Sequence, residues 1–209
     1  MGREIEIKIP LEQDQYDTLF NAVKGNNSIN GVEFYNHNTN CYDHLLKSDE
    51  YFSKYDTRQE RKDHGEPQVI RIRTEKDCLS GKKESFFCIK VKKIENGIEL
   101  NQEFETFVQD DEAIRKLMEV QGLKKFFSKQ KESISVYSRA TGIDDIEFHL
   151  ELVTVNGLKY AETEVVQSEL AADKVRAGLE QYMKMLGLDV SKRDSRSWME
   201  ILDGNHCGF

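Results

Sequence analysis

Apolar and polar residues alternate strictly at the start of the chain. Ile5, Ile7 and Ile9 fall on one parity and Glu4, Glu6 and Lys8 on the other. That period of two predicts a strand over Arg3–Ile9, closed by Pro10. Leu11, Tyr16, Leu19, Phe20 and Val23 then approximate one helical face, and Gly25-Asn26-Asn27 stops it. A short strand is predicted at Asn40–Asp43. Lys47–Pro67 is dense in charge without clear periodicity and reads as a long exposed loop. Its aromatics Tyr51, Phe52 and Tyr55 read as docking on the protein's own surface more readily than as a lid.

Alternation returns in Val69–Thr74, with Arg71 and Arg73 on one face, and in Phe87–Lys92, with Lys90 and Lys92 on one face. Ser80–Lys83 is a turn, and Asn96-Gly97 is a hairpin signal. The returning strand, Leu100–Phe107, sets Glu103 and Glu105 against Phe104. Asp110–Gly122 reads as a helix with Ala113, Ile114, Leu117 and Met118 inward. Phe126–Tyr137 carries Lys129 and Lys131 on one parity. Ile146–Val153 alternates Ile146, Phe148, Leu150 and Leu152 with Glu147, His149 and Glu151. Asn156-Gly157 is a second hairpin signal, before Tyr160–Val166 with Glu162 and Glu164. Ser168 with Glu169 opens a helix to Leu186, and a short helix over Ser195–Leu202 carries Trp198. His149 reads as a hydrogen-bonded neighbour of its strand partners, and Trp198 as core. Glu-x-Glu on a strand precedes an amphipathic helix three times, at Glu4/Glu6, Glu103/Glu105 and Glu162/Glu164, the outline of an internal repeat.

Carboxylates two apart on one strand face lie roughly 7 Å apart and repel. Solvated faces relieve such repulsion by mixing signs. Here the signs are sorted: Arg71/Arg73, Lys90/Lys92 and Lys129/Lys131 are basic, and Glu103/Glu105 and Glu162/Glu164 are acidic. The helices' apolar stripes need the apolar parity of the strands, so the charged parity lies on the other side. On an open sheet that side is a wet surface, and in a barrel it is the lumen. Periodicity leaves the two open. In a lumen, arginine and lysine rows match phosphate oxygens. Glutamate rows match Mg²⁺ or Mn²⁺.

Charge and composition narrow the classes. A chain of 209 residues with net charge -8 suits one domain over 1–203 with a tail at 204–209, and disfavours a double-stranded nucleic-acid binder. Charged residues make up 33%, so a large polar surface or interior is required. No run of about 18 apolar residues predicts a membrane span. No secretory leader is evident. Cys41, Cys78, Cys88 and Cys207 have no Cys-x-x-Cys spacing and read as free thiols of a cytosolic protein.

Taken in order, these motifs resemble the CYTH domain of the triphosphate tunnel metalloenzymes. Glu4-Ile5-Glu6-Ile7-Lys8 resembles its Glu-x-Glu-x-Lys signature, Tyr42-Asp43 its aromatic-Asp strand, and Ile70-Arg71-Ile72-Arg73 its Arg-x-Arg strand. Lys90, Glu103-Phe104-Glu105 and Lys129-Gln130-Lys131 resemble the motifs that follow. Glu151, Gly157, Tyr160–Glu164 and Ser197–Glu200 resemble its C-terminal run. Lys131 stands where arginine is usual and Asn101 where arginine often precedes Glu-x-Glu, and the 47–67 segment is longer than in compact members.

The resemblance implies an α+β fold, a closed eight-stranded antiparallel barrel with helices packed outside. It implies a metal-dependent triphosphatase acting on tripolyphosphate, thiamine triphosphate or ATP with Mg²⁺ or Mn²⁺. A class IV adenylyl cyclase and a non-catalytic polyphosphate- or nucleotide-binding module are the alternatives. Chemistry and resemblance together give Glu4, Glu6, Glu105, Glu151, Glu162 and Glu164 as metal ligands. Lys8, Arg71, Arg73, Lys90, Lys92, Lys129 and Lys131 are the triphosphate grip. Glu4, Glu6, Lys8 and Arg73 are the catalytic set.

Overall fold

The computed structural model describes residues 2–66, 68–95, 98–165 and 170–204. Side chains of 2–4, 92–95, 98–101 and 204 fall outside that description. In chain order the elements are β1 (Gly2–Pro10), α1 (Gln13–Gly25), β2 (Val32–Tyr35), β3 (Asp43–Ser53), α2 (Arg58–Asp63), β4 (Gln68–Asp77), β5 (Lys83–Glu95) and β6 (Ile98–Val108). They continue as α3 (Asp111–Val120), β7 (Lys124–Ala140), β8 (Ile143–Val155), β9 (Leu158–Val165), α4 (Ala172–Met185) and α5 (Trp198–Gly204).

All pairings are antiparallel and run β7-β3-β4-β5-β6-β1-β9-β8, and β8 pairs back onto β7. Eight strands therefore close a hydrogen-bonded ring, the barrel expected from the sequence. β1 meets β6 over only three residue pairs, Gly2–Glu4 against Glu103–Asn101, so that seam is a slit along much of its length. β2 pairs β7 through Tyr35↔Tyr137 at its end, as a ninth strand outside the ring. Val155 pairs Leu158 across a two-residue loop in which Asn156 (φ 49°) and Gly157 (φ 80°) both take the left-handed conformation. That is the turn whose twist matches a hairpin.

The main core lies outside the ring. Ile5, Ile7 and Ile9 of β1 and Phe148, Leu150 and Leu152 of β8 pack against Leu19 and Val23 of α1 and Leu179, Tyr182 and Met183 of α4. Phe148, Leu150 and Leu152 are fully buried, each contributing about 1.5–3 kcal/mol of hydrophobic stabilisation. A second cluster under α3 joins Met118 to Phe52 and Ile72. On β1, β8 and β9 the apolar parity is thus covered by α1 and α4 and the charged parity turns inward, whereas Phe104 on β6 and Leu117 of α3, expected inward, stay exposed.

Three expectations are corrected. The segment from Lys47 is not a long loop. Residues 43–53 form β3, and Arg58–Asp63 form a helix whose Thr57 hydroxyl and Glu60 carboxylate cap it reciprocally. The strand expected at Asn40–Asp43 is a bend up to Tyr42, and β3 begins at Asp43. The short helix expected over Ser195–Leu202 begins at Trp198 and runs to Gly204. The turn at Asn96-Gly97, the helix start at Ser168-Glu169, and residues 205–209 with Cys207 lie outside the described residues.

Candidate active site

The interior of the ring is part of a cavity of ≈ 670 Å³ that also extends past Arg176, Leu179 and Glu180 of α4 on the helix side, a volume within the usual range for small-molecule sites. Lys8, Arg71, Arg73, Lys90, Lys129 and Lys131 line it. So do Glu6, Glu105, Glu151, Glu162 and Glu164. Residues that the sequence places on the charged parity of separate strands, and that chemistry and resemblance together assign to one site, therefore line one cavity. Glu4 lies on β1 and Lys92 on β5, but their side chains lie outside the described residues.

One wall is basic and is organised by a carboxylate from β3. Asp49, with no exposed side-chain surface, accepts from Arg73 Nε at 2.7 Å and Arg73 Nη2 at 3.1 Å. Lys129 Nζ stands 3.4 Å from Oδ2, and the Tyr51 hydroxyl donates to the same oxygen at 3.3 Å. Burial alone would raise the Asp49 pKa, but Arg73 and Lys129 overcome it and hold the carboxyl well below the usual range. Lys129 moves the other way. Burial, with Lys131 and Arg73 nearby, outweighs Asp49 and brings its ammonium down to about 7. Arg71 reaches Glu103 at 3.2 Å and Glu105 at 3.5 Å, while its Nε is buried without a partner.

The opposite wall is acidic and carries its own cations. Lys131 Nζ bridges Glu151 at 2.5 Å and Glu162 at 2.6 Å, and Lys47 Nζ reaches Glu151 at 2.5 Å. Burial opposes ionisation of both glutamates, but Lys131 overrides it, and both carboxyls lie below their ordinary values. Lys131 is correspondingly raised in spite of its burial. The Trp198 indole N–H donates to Glu162 Oε1 at 2.6 Å, while Lys8 and Lys129 lie 5.5 and 5.4 Å from its ring. Lys8 also donates to the Arg196 carbonyl at 2.6 Å. Trp198 is core on one side, edge-on to Tyr160, and a tunnel group on the other.

Glu6 and Glu164 are directly opposed across β1 and β9. Like charges so placed repel unless a cation joins them. His149 Nδ1 lies 3.0 Å from Glu164 Oε1. Burial lowers the affinity of His149 for its proton, but Glu164 and Glu151 more than compensate, and its pKa is raised.

The donor chemistry fits a hard divalent ion. Glu103, Glu105 and Cys88 form the one group of three candidate donors within 4.8 Å of one another among the described residues. Glu105 is raised by burial, relieved in part by Arg71 and Arg73, and raised further by Glu103 and Glu75. A carboxylate so crowded gains from an added cation. Burial first, then Glu103, pushes the Cys88 thiol up to about 12. It stays protonated, and the donors offered at neutral pH are oxygens. Of the six glutamates assigned to metal, Glu105 lies in this group, Glu151 and Glu162 share Lys131, and Glu164 pairs with His149.

Sequence reasoning missed Lys47 and Asp49. Their signal was the parity Lys47, Asp49, Tyr51. It was masked because the opposite parity of β3 is also polar: Glu50 faces outward to Arg115 at 2.6 Å and Lys125 at 3.1 Å.

No protein-family model matches the chain, and no curated protein matches it. Solved structures do. The PH1819 protein from Pyrococcus horikoshii OT3 superposes with a TM-score of 0.67 at 23% identity, over 97% of this chain and 99% of that one. HpAC1 from Hippeastrum, described as having a dominant triphosphatase activity, gives 0.60 at 14% identity, over 98% and 96%. A candidate adenylate cyclase from Vibrio parahaemolyticus gives 0.60 at 16%, over 96% and 97%. The chain shares their fold. No helix among the described residues is long and apolar enough to cross a membrane.

Proposed function

We propose that the chain is a metal-dependent triphosphatase that hydrolyses the terminal phosphate of a triphosphate held in the tunnel. The observation that carries this reading is that one cavity holds both the Arg71/Arg73/Lys129 wall and the Glu6/Glu162/Glu164 wall. A triphosphate with a divalent ion is the small ligand whose charges match both. The same activity is described for HpAC1, which shares the fold.

In this reading Lys8, Arg71, Arg73, Lys90, Lys129 and Lys131 bind the phosphate oxygens, with Lys92 continuing their row on β5. Asp49 is a positioning residue: its two bonds fix the plane of the Arg73 guanidinium, so little side-chain freedom remains to be lost on binding. Arg71 Nε, buried and unpartnered, has an unused donor for an anion. Glu4, Glu6, Glu162 and Glu164, with Glu105 and Glu151, would hold Mg²⁺ or Mn²⁺. Such an ion, when bound, neutralises phosphate charge and orients an attacking water. The cationic wall stabilises the charge that develops on the transferring phosphoryl group. Burial of Arg73, Lys129 and Lys131 lowers the local dielectric and strengthens their contacts with an anion.

The test is incubation with Mg²⁺ or Mn²⁺ and tripolyphosphate, ATP or thiamine triphosphate. Orthophosphate release supports hydrolysis. Cyclic AMP with pyrophosphate from ATP, and no orthophosphate, would assign the cyclase reaction instead. Tight binding without turnover of any of the three would leave a binding module.

A further inference from the structure

β2 is not needed to close the barrel, yet it extends one wall beyond the start of β3. What it adds is aromatic. Tyr35 is directly opposite Tyr137, Tyr137 is opposite His149, His149 is opposite Glu164, and Glu164 is opposite Glu6. Directly opposed residues of antiparallel strands share a face, so this is one lateral row across five strands. One half is aromatic, and the other half is the pair of glutamates assigned to the metal.

The rings are in contact along the row. Tyr137 lies 5.0 Å from His149 between ring centroids, 4.2 Å from His37 and 6.4 Å from Tyr35. His149 lines the cavity. At the other end the His37 side chain is 56% exposed, so the row leads from the tunnel to solvent. Glu147 fixes the outer rings: it accepts from the Tyr35 hydroxyl and lies 3.1 Å from His37 Nε2. A self-contained core cluster would bury its last ring, whereas this one presents it to solvent.

We propose that the row Tyr137–His37, beyond Glu164 toward solvent, is a stacking subsite for the flat heteroaromatic head of an organic triphosphate. The proposal rests on the tunnel being a triphosphate site. It makes the preferred substrate an esterified triphosphate and not inorganic tripolyphosphate. The head stacks on the imidazole and phenol faces, and its phosphates continue inward past Glu164 and Glu6 to the cationic wall. Stacking tolerates any π-faced ring. The row therefore selects for an organic head before it selects which one, and a nucleobase and a cationic heterocycle are separated by experiment.

Titration calorimetry in chelator, where the proposed hydrolysis does not run, using ATP, thiamine triphosphate and tripolyphosphate as separate probes, tests this on the wild type, His37→Ala and Tyr137→Leu. His37 is exposed, so its replacement leaves the fold intact even if Tyr137→Leu does not fold. The expected result is that one organic triphosphate binds the wild type more tightly than tripolyphosphate. That advantage falls about tenfold in either variant, with tripolyphosphate affinity unchanged. Which organic probe shows the effect identifies the head. Equal losses for all three probes, or no loss for either organic probe, would overturn the subsite. Failure of the hydrolytic reading looks different: the binding pattern would stand while no orthophosphate is released once Mg²⁺ is added.

Discussion

Asp49 and Arg73 face each other across β3 and β4 and are joined by two parallel hydrogen bonds, Nε to Oδ1 at 2.7 Å and Nη2 to Oδ2 at 3.1 Å. The carboxylate has no solvent-exposed surface and also neutralises Lys129. In the free protein it stands where a phosphate charge would otherwise be needed to hold these two cations together.

Replacing Asp49 with Ala leaves Arg73 and Lys129 buried without their anion. Loss of one partner of a buried ion pair costs about 3–5 kcal/mol. Urea denaturation should show a loss of that size. Added tripolyphosphate should restore more stability to the variant than it adds to the wild type, because the phosphate replaces the missing charge. Equal stabilisation of both proteins would remove Asp49 from the account of the cationic wall.

Lys129 sets a pH dependence. Its ammonium is brought down to about 7 by burial, so it is charged below that pH and neutral above it. Affinity for tripolyphosphate should therefore weaken as pH rises through about 7. Lys129→Arg should flatten this limb, since a guanidinium stays charged. Calorimetric titrations at several pH values check it, and an identical profile in the variant assigns the limb to another group.

Glu6→Gln keeps size and hydrogen-bonding capacity but removes one charge from the opposed Glu6/Glu164 pair. Metal-dependent turnover should fall roughly 10²–10³-fold with the melting temperature held or raised. Rates like those of the wild type would refute a metal-holding role. Arg73→Ala should raise the Michaelis constant for tripolyphosphate roughly tenfold or more, and an unchanged constant would remove it from the grip.

Trp198→Phe retains a ring against Tyr160 but deletes the N–H that donates to Glu162. The buried acceptor left behind costs about 1–3 kcal/mol. Thermal denaturation should show the loss. A fully stable variant would mean that Lys131 alone satisfies Glu162.

The strands were legible because many spend one parity on apolar packing and sort charge on the other. Ile5, Ile7 and Ile9 against Glu6 and Lys8 show this in five residues, and Asn156-Gly157 marks a hairpin that the left-handed backbone at both positions requires. Their closure into a barrel was not legible: periodicity fits an open sheet equally well, and closure came from the resemblance of the motifs in order. β3 was not legible. Lys47, Asp49 and Tyr51 point inward, but Ser48 and Glu50 on the other face are polar too, so no hydrophobic period survives. The outward Glu50 is explained by Arg115 and Lys125, 65 and 75 residues away. Nor could the sequence show that Lys131 is shared between Glu151 and Glu162, since that depends on which strands are neighbours. The dual role of Trp198 was hidden because an indole ring reads as core whether or not its N–H meets a carboxylate.

The central claim is that the two charged walls serve one bound triphosphate and its divalent ion. The most direct measurement is orthophosphate release from tripolyphosphate, ATP and thiamine triphosphate, with Mg²⁺ or Mn²⁺ and again after chelation. The predicted result is metal-dependent orthophosphate release that stops with chelator and is lost in Glu6→Gln. Release that ignores the chelator, or ATP converted to cyclic AMP and pyrophosphate with no orthophosphate, would contradict it.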